Sequence, residues 1–291
     1  MLACLTPWTA AAQTPARQAA ATQLSESELM ELVPEIRAAA AIIYNPHTGD
    51  ILWENNSHDQ RSIASLTKLM TAVTFIASEP DLDQKVVVAQ SDVRNASVTY
   101  LRAGERVTLG DLLRLTLIAS DNGAARAIAR TSEGGTAEFV RRMNETAQLM
   151  GLTNTHYADP SGLDARNVST AYDMSHLIAY ATAHPTLGPI MRQREATVRS
   201  GARSFRIRNT NKLLGTDVPV VGGKTGFIRK AGYCLATLLQ VPQGSQLAVV
   251  VLGAANSAIR FNDARELFNW AVVRTTGLLT GGQPIDVAGR P

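Results

Sequence analysis

The stretch Ser65-Leu-Thr-Lys-Leu-Met-Thr-Ala-Val-Thr-Phe-Ile-Ala77 predicts a helix that begins with a reactive pair. Apolar residues recur through it at helical spacing, which indicates one buried face. They are Leu66, Leu69, Met70, Val73 and Ile76. Ser65 and Lys68 stand three positions apart at its start, so their side chains share a face, about 5–6 Å apart at Cβ. A serine hydroxyl needs an adjacent base to act as a nucleophile, and a lysine whose pKa is lowered by burial or by a nearby cation can supply one.

The patterns on either side of this helix predict a single α+β domain. One hairpin is expected around the turn Asn45-Pro-His-Thr-Gly-Asp50, and a second over residues 233–252. Between them the chain is mainly helical, with segments beginning near Thr108 (Asp111 in the first turn) and spanning 122–129 and 137–150. A last helix is expected over 262–273. Strands at both ends favour one antiparallel sheet, in which the first and last strands meet.

Two further motifs each occur once in the chain, Ser120-Asp-Asn122 and Lys224-Thr-Gly226. The Ser120 hydroxyl can pass a proton to a leaving amine, and Asn122 offers a donor and an acceptor to a substrate amide. Lys224 and Thr225 offer a cation and a hydroxyl to a terminal carboxylate. Gly226 leaves room for a substrate along a strand edge. Each motif alone is equally typical of a helix cap or a hairpin turn, but together they indicate an enzyme.

These three motifs, in this order, are the signature of penicillin-recognising serine enzymes. From about residue 36 to about residue 275 the chain resembles the low-molecular-mass penicillin-binding proteins of the D-alanyl-D-alanine carboxypeptidase and endopeptidase family. The segment Asp159-Pro-Ser-Gly-Leu-Asp164 also resembles the loop between that family's second and third motifs, and it is given no catalytic role here. The resemblance implies a β-lactamase/penicillin-binding transpeptidase-like fold. In that fold an antiparallel sheet is flanked by helices, with a mostly helical subdomain.

The resemblance also implies a role for each site residue. The acyl-enzyme would form on Ser65, Lys68 would accept its proton, and Ser120 would complete the catalytic set. The substrate-binding residues would be Asn122, Lys224, Thr225, Gly226 and Phe227. The oxyanion hole would use the backbone N–H groups of Ser65 and Phe227. Peptidoglycan stem peptides are the expected substrates and β-lactam antibiotics the expected covalent inhibitors, and no cofactor or metal is expected.

Several functions remain open at this point. A class A β-lactamase needs a glutamate between the second and third motifs to activate the deacylating water, and no glutamate lies between Glu145 and Glu195. An inactive binding module would be expected to have lost Ser65, Lys68 or Lys224. A metalloenzyme is disfavoured because the five histidines form no H-x-x-H or H-E-x-x-H pattern.

Two peptidase reactions share these motifs and differ only in the leaving group. A carboxypeptidase releases the terminal D-Ala of a pentapeptide, whereas an endopeptidase releases a diamino acid with the rest of a stem attached. Carboxypeptidases of this family typically carry an additional C-terminal β-domain and an amphipathic anchor, for which the chain has no room after Trp270. Ser120-Asp-Asn122 and Phe227 also look more like the endopeptidase branch. The endopeptidase is therefore preferred, with the carboxypeptidase as the alternative.

Composition and the chain ends complete the expectations. With a net charge of +3 and no run of basic residues, nucleic-acid binding is not expected.

The apolar start and Thr9-Ala-Ala-Ala12 resemble a signal peptide, so residues 1–35 are interpreted as a signal peptide and linker. Residues 36–275 form the expected catalytic domain and 276–291 a C-terminal tail. We expect an exported, periplasmic protein, and leave open a peripheral association with the wall or membrane. Cys234 is expected to be a buried structural thiol. Arg203, Arg206 and Arg208 are expected to form one solvated strand face, and contact with the acidic stem peptide is the alternative.

Overall fold

Eleven strands and eight helices are present in residues 33–242 and 244–277, the part of the chain that the computed structural model describes. The strands are β1 (Ala40–Tyr44), β2 (Ile51–Asn55), β3 (Arg61–Ser62), β4 (Lys85–Val87), β5 (Arg106–Thr108), β6 (Val168–Ser169), β7 (Glu195–Ser200), β8 (Arg203–Arg208), β9 (Val220–Ile228), β10 (Gly232–Gln240) and β11 (Gln246–Ala254). The helices are α1 (Thr67–Ile76), α2 (Gln90–Val93), α3 (Leu109–Leu117), α4 (Asn122–Thr131), α5 (Gly135–Leu149), α6 (Ala171–Ala183), α7 (Leu187–Arg192) and α8 (Ser257–Gly277), and a 3-10 turn at Ala64–Leu66 precedes α1.

The central sheet has five antiparallel strands in the order β2-β1-β11-β10-β9. β1 pairs with β11, with Ile42 opposite Val250 and Ile43 opposite Val249. The prediction that the first and last strands meet is therefore confirmed, as is the hairpin of β10 and β11. This order leaves β9, which carries the third motif, at an edge of the sheet.

Helices cover both faces of the sheet, and the alternation of side chains divides the core into two layers. Ile42 and Val250 belong to the layer shared with α1, α3 and α6, whereas Ile43 and Val249 face α8. Successive side chains of a strand point to opposite faces, so β1 and the buried part of β11 are apolar on both sides. Each fully buried aliphatic side chain stabilises the fold by about 1.5–3 kcal/mol, and the two layers together fix β9 in place.

Several local expectations are confirmed and others need correction. The Thr108 hydroxyl accepts a hydrogen bond from Asp111 N at 3.1 Å, as expected for the cap of α3. Cys234 is fully buried, and burial raises the pKa of its thiol to about 11.

Ser65 lies in the 3-10 turn, so α1 itself begins only at Thr67. The last helix is longer than expected at both ends.

The expectation of one solvated arginine face is wrong for Arg203. Arg206 and Arg208 are exposed, but Arg203 lies on the opposite face of β8 and forms an ion pair with Glu105 at 2.6 Å. Residues an odd number of positions apart alternate in direction along a strand, and this separates Arg203 from the other two.

The expectations for the chain ends lie outside the described residues, apart from the last few residues of the linker and the first two of the tail. In the described part of the chain, no helix is both long enough and apolar enough to cross a membrane. No group of three or more His, Cys, Asp or Glu side chains in that same part could hold a metal ion.

Candidate active site

The three motifs converge on one cleft of about 480 Å³ between β9 and the helical part of the molecule. Ser65 enters it from the 3-10 turn, Ser120 from the turn between α3 and α4, Asn122 from the first position of α4, and Thr225 and Gly226 from β9. Lys68 and Lys224 lie directly behind the wall of the cleft. Each is almost fully buried and donates a hydrogen bond to a cleft serine. The structure thus brings together every residue that the sequence predicts for the site.

Lys68 is positioned to exchange a proton with Ser65. Its Nζ donates to Ser65 Oγ at 2.9 Å, to Asn122 Oδ1 at 2.6 Å and to the backbone carbonyl of Ser161. An ammonium group has three protons to donate, and two of these acceptors are fixed parts of the protein. When Lys68 is neutral, its two remaining protons satisfy Asn122 and Ser161. The lone pair is then left for the Ser65 hydroxyl.

The electrostatic environment makes Lys68 a base near neutral pH. Burial lowers the pKa of its amine to about 7, and the nearby Arg126 acts in the same direction. The carboxylates of Asp121 and Asp159 act in the opposite direction and keep the pKa from falling further. No carboxylate forms an ion pair with Lys68 anywhere in residues 33–242 and 244–277. A general base works best when its pKa lies near the operating pH.

The loop that follows α5 supplies a contact that the sequence analysis missed. Asp159 accepts hydrogen bonds from the backbone N–H groups of Ser161, Gly162 and Asp164, and from the side chains of Ser161 and Asn167. Burial alone would raise the pKa of Asp159, but these donors outweigh it and lower the pKa. The folded loop directs the Ser161 carbonyl at Lys68. The loop therefore positions the base, and only its resemblance to the family's loop drew attention to it.

The second motif caps a helix and also contributes two side chains to the cleft. Ser120 has a positive φ of 59°, a conformation that is strained for a serine, just before α4 begins. Asp121 caps that helix by accepting from Ala124 N at 2.8 Å, and it also accepts from Tyr100 N at 2.6 Å. Asn122 was predicted to bind a substrate amide, but its Oδ1 accepts from Lys68 and its Nδ2 donates to Ala96 O at 2.7 Å. In this structure Asn122 mainly orients Lys68.

The third motif connects β9 with the other two motifs. Lys224 Nζ donates to Ser120 Oγ at 2.6 Å and to Thr225 O at 2.8 Å. Burial lowers the pKa of Lys224 well below its usual value, and the positive charges of Lys68 and Arg260 lower it further. A Cβ at Gly226 would lie 2.8 Å from Ile63 O and 3.1 Å from Ser65 N. Only glycine allows β9 to approach the nucleophile this closely.

Arg260 of α8 reaches the same cleft, and no motif signalled it. Its guanidinium donates to the carbonyl oxygens of Gly226 and Cys234, both at 3.2 Å, and lies 5.5 Å from the ring centroid of Tyr233. That ring stacks at 4.2 Å on Phe227, which is 51% exposed at the mouth of the cleft. Arg260 therefore adds a guanidinium group to the two lysines of the site and holds the aromatic end of β9.

Comparison with known proteins places this geometry among cell-wall peptidases. The family model described as D-alanyl-D-alanine carboxypeptidase matches residues 26–256. The D-alanyl-D-alanine endopeptidase of Escherichia coli is 34% identical over 89% of this chain and 83% of its own length. That of Pseudomonas aeruginosa is 33% identical over 83% and 79%. A D-alanyl-D-alanine carboxypeptidase of Escherichia coli is 34% identical over 81% of this chain and 62% of its own length.

Solved structures agree on the fold. A Streptomyces DD-transpeptidase superposes with a TM-score of 0.78 at 28% identity, covering 82% of this chain and 98% of its own. The D-alanyl-D-alanine carboxypeptidase of Mycobacterium tuberculosis superposes with a TM-score of 0.75 at 26% identity, covering 82% and 92%. The α+β penicillin-binding fold expected from the three motifs is confirmed.

Proposed function

The chain belongs to the D-alanyl-D-alanine carboxypeptidase family of serine peptidases, and within it we propose an endopeptidase that hydrolyses the peptide cross-links of peptidoglycan. The observation that carries this proposal is the convergence of Ser65, Lys68, Ser120 and Lys224 on one cleft. The matched relatives that are named endopeptidases, from three species, support the choice within the family.

In the proposed reaction Ser65 carries the acyl group. Ser65 Oγ attacks the carbonyl carbon of the D-Ala residue at the cross-link while its proton moves to Lys68 Nζ. The carbonyl oxygen becomes an oxyanion that accepts from the backbone N–H groups of Ser65 and Phe227. The C–N bond then breaks, and the leaving nitrogen takes a proton from Ser120 Oγ. Ser120 regains a proton from Lys224, whose Nζ donates to its Oγ. Lys68 then releases its extra proton to water and Lys224 takes one from water, so both amines return to their starting state.

In the second half of the reaction water hydrolyses the acyl-enzyme, and Lys68 and Ser65 exchange the proton in the reverse direction. Lys68, again neutral, takes a proton from water while the water oxygen attacks the acyl carbon. The bond from that carbon to Ser65 Oγ then breaks, and Lys68 returns the proton to Ser65 Oγ. The substrate carboxylate beside the scissile bond is held by Lys224 and Thr225. Thr225 Oγ1 donates to Thr210 Oγ1 at 2.7 Å and so has a fixed orientation.

The loop at Asp159 argues against rapid β-lactam hydrolysis. Class A β-lactamases use a glutamate in this region to activate water. Here both oxygens of Asp159 are occupied by five donors, and Asp164 is paired with Arg166. Neither carboxylate is free to orient a water molecule, so we expect long-lived acyl-enzymes with penicillins.

The boundaries and location remain part of the proposal. Residues 36–275 would form the catalytic domain, with a signal peptide and linker over 1–35 and a tail over 276–291. Export to the periplasm is supported by the apolar start of the sequence and by Thr9-Ala-Ala-Ala12. The substrate proposed here is a cell-wall polymer that an exported enzyme would reach.

The test uses the purified chain with a pentapeptide monomer and a cross-linked muropeptide dimer, with products read by mass spectrometry. We expect the dimer to be converted to monomers while the pentapeptide stays intact. Loss of one D-Ala from the pentapeptide with the dimer intact would instead establish the carboxypeptidase. Ser65→Ala serves as the control and should lose covalent penicillin labelling. Labelling that persists in this variant would remove Ser65 as the nucleophile.

A further inference from the structure

A second cleft, also of about 480 Å³, lies next to the segment that carries Thr210, and its walls are basic. The cations that line it are Arg194, Arg208 and Lys212. All three are exposed, and none forms a hydrogen bond or ion pair through its side chain with any residue that the structure describes. Glu195 also lines this cleft, but Arg206 already neutralises it at 3.1 Å. The cleft therefore has a surplus of positive charge.

The neighbouring arginines show that this surplus is local. Arg203 and Arg206 lie on the same hairpin, and each has a carboxylate partner, Glu105 and Glu195 respectively. Arg208, at the end of the same strand, has none among the described residues. Three cations without partners in one concave site attract an anionic ligand.

The backbone beneath the cations is held in place. Asn209 N donates to Arg194 O at 2.8 Å, and Asn209 Nδ2 donates to Met191 O at 3.1 Å and to Gln193 O at 2.9 Å. Asn209 Oδ1 in turn accepts from Asn211 N at 2.9 Å. These bonds tie the segment of Arg194 to the segment of Arg208 and Lys212. A site with a fixed backbone loses less conformational entropy when a ligand binds.

The position of the basic cleft indicates which part of a substrate it faces. Gly226 adjoins the nucleophile, and the proposed carboxylate-binding residues Lys224 and Thr225 precede it on β9. The basic cleft lies further along the same direction, because Asn211 Nδ2 is 2.6 Å from the position of a Cβ at Gly223. Thr210, which lines the catalytic cleft, stands two residues from both Arg208 and Lys212. The basic cleft is therefore on the leaving-group side of the catalytic cleft.

We propose that Arg194, Arg208 and Lys212 bind a carboxylate of the leaving stem peptide and thereby favour cross-linked substrates. This inference rests on the proposed endopeptidase function. A single released D-Ala ends at the carboxylate held beside Lys224 and does not reach the second cleft. The leaving part of a cross-link continues beyond that point and carries the further carboxylates of an acidic stem. The basic cleft thus distinguishes the two leaving groups by length and charge.

The test compares the double variant Arg208→Gln/Lys212→Gln with wild type on three reactions. These are penicillin acylation, hydrolysis of the cross-linked dimer, and hydrolysis of a dimer in which the leaving-stem carboxylates, other than the one beside the scissile bond, have been converted to amides. We expect the ratio of kcat/KM for the dimer to the penicillin acylation rate to fall by about tenfold, equivalent to about 1.4 kcal/mol. The amidated dimer should be cleaved equally by both proteins. Lys85→Gln/Arg106→Gln removes the same charge elsewhere and is the matched control.

Three results would overturn the inference. The dimer could be cleaved as fast by the double variant as by wild type, the amidated dimer could lose as much as the free dimer, or the control variant could lose as much as the test variant. A wild-type protein that binds penicillin but cleaves no dimer would remove the endopeptidase proposal itself, and with it this inference. The penicillin reaction distinguishes that outcome from an inactive preparation.

Discussion

Positively charged side chains have opposite environments in the catalytic cleft and at the Arg203–Glu105 pair of the β7–β8 hairpin. Lys68 and Lys224 are 0% and 1% exposed, and neither has an ion-pair partner among the described residues. Arg203 is partly exposed and binds Glu105 through both Nε and Nη2, at 2.6 Å each. Because burial without a counter-ion disfavours the charged form, the pKa values of both lysines are lowered, whereas hydrogen bonds from Arg203 lower the pKa of Glu105 to about 2.

The two environments contribute to different properties of the protein, the buried lysines to reactivity and the Arg203–Glu105 pair to stability. A buried amine without a carboxylate partner releases its proton easily, which is what a base near Ser65 requires. A bidentate arginine–carboxylate pair is among the stronger polar contacts of a protein, and it fastens the hairpin to the loop that carries Glu105. Changes to the two buried lysines should therefore alter rates, and changes to the Arg203–Glu105 pair should alter the free energy of unfolding.

The largest effect is expected for Lys68→Met, which removes the base. Penicillin acylation should slow by about 10²- to 10⁴-fold, the usual contribution of a general base. Stopped-flow or gel-based labelling with a fluorescent penicillin measures the rate. Lys68→Arg keeps the charge but cannot lose its proton, so it should be equally slow. Restored acylation in this variant would show that Lys68 acts by charge alone.

A smaller loss is expected for Lys224→Ala. Removing a charged hydrogen bond of about 1.5–3 kcal/mol should lower kcat/KM by about 10- to 100-fold for substrates with a free terminal carboxylate. The same substrate with an amide in place of the carboxylate should lose much less. Ser120→Ala, which breaks the contact with Lys224 from the other side, is the control and should slow both substrates alike. An unchanged kcat/KM in Lys224→Ala would remove its proposed role.

The pH dependence of acylation should follow Lys68. The neutral amine is the active form and its pKa is about 7, so the rate should be constant well above pH 7. Below pH 7 the fraction of neutral amine, and with it the rate, should fall about tenfold per pH unit. A rate that rises as the pH falls from 8 to 6 would contradict this assignment.

The smallest effect is expected in the hairpin. Glu105→Gln should lower the free energy of unfolding by about 1 kcal/mol without changing the acylation rate. Because the pKa of Glu105 is lowered in the folded state, the contribution of the pair is complete above the unfolded pKa and is lost as pH falls towards about 2. Urea unfolding at pH 7 and pH 3 measures both. Glu138→Gln, at a solvent-exposed pair with Arg141, is the control and should change stability much less, because water screens an exposed ion pair.

The sequence was sufficient to predict the reactive residues of the cleft but not all of the helices around them. Unique motifs on predictable elements were sufficient to bring Ser65, Ser120 and Lys224 together, and turn residues revealed both hairpins. α6 and α7 were not identified. α6 is buried on most sides, so its apolar residues leave no clear stripe.

The residues that were missed act through long-range contacts. The Ser161 carbonyl reaches Lys68 across 93 positions, and backbone groups leave no trace in side-chain patterns. Arg260 approaches Gly226 from a helix near the end of the described chain, and a single arginine there looks like any surface arginine. Asn122 was recognised, but its two internal partners could not be foreseen, because they depend on how α4 meets α1.

The position of β9 at an edge of the sheet has a consequence for aggregation. An uncovered edge strand can pair with the edge of another molecule and start aggregation. Here the turn that carries Ser120 stands in front of that edge, with Ser120 Oγ 2.6 Å from Lys224 Nζ. This turn blocks a second sheet from approaching but leaves the groove open to one extended peptide. The wall that completes the catalytic cleft thus also protects the molecule from pairing with its own copies.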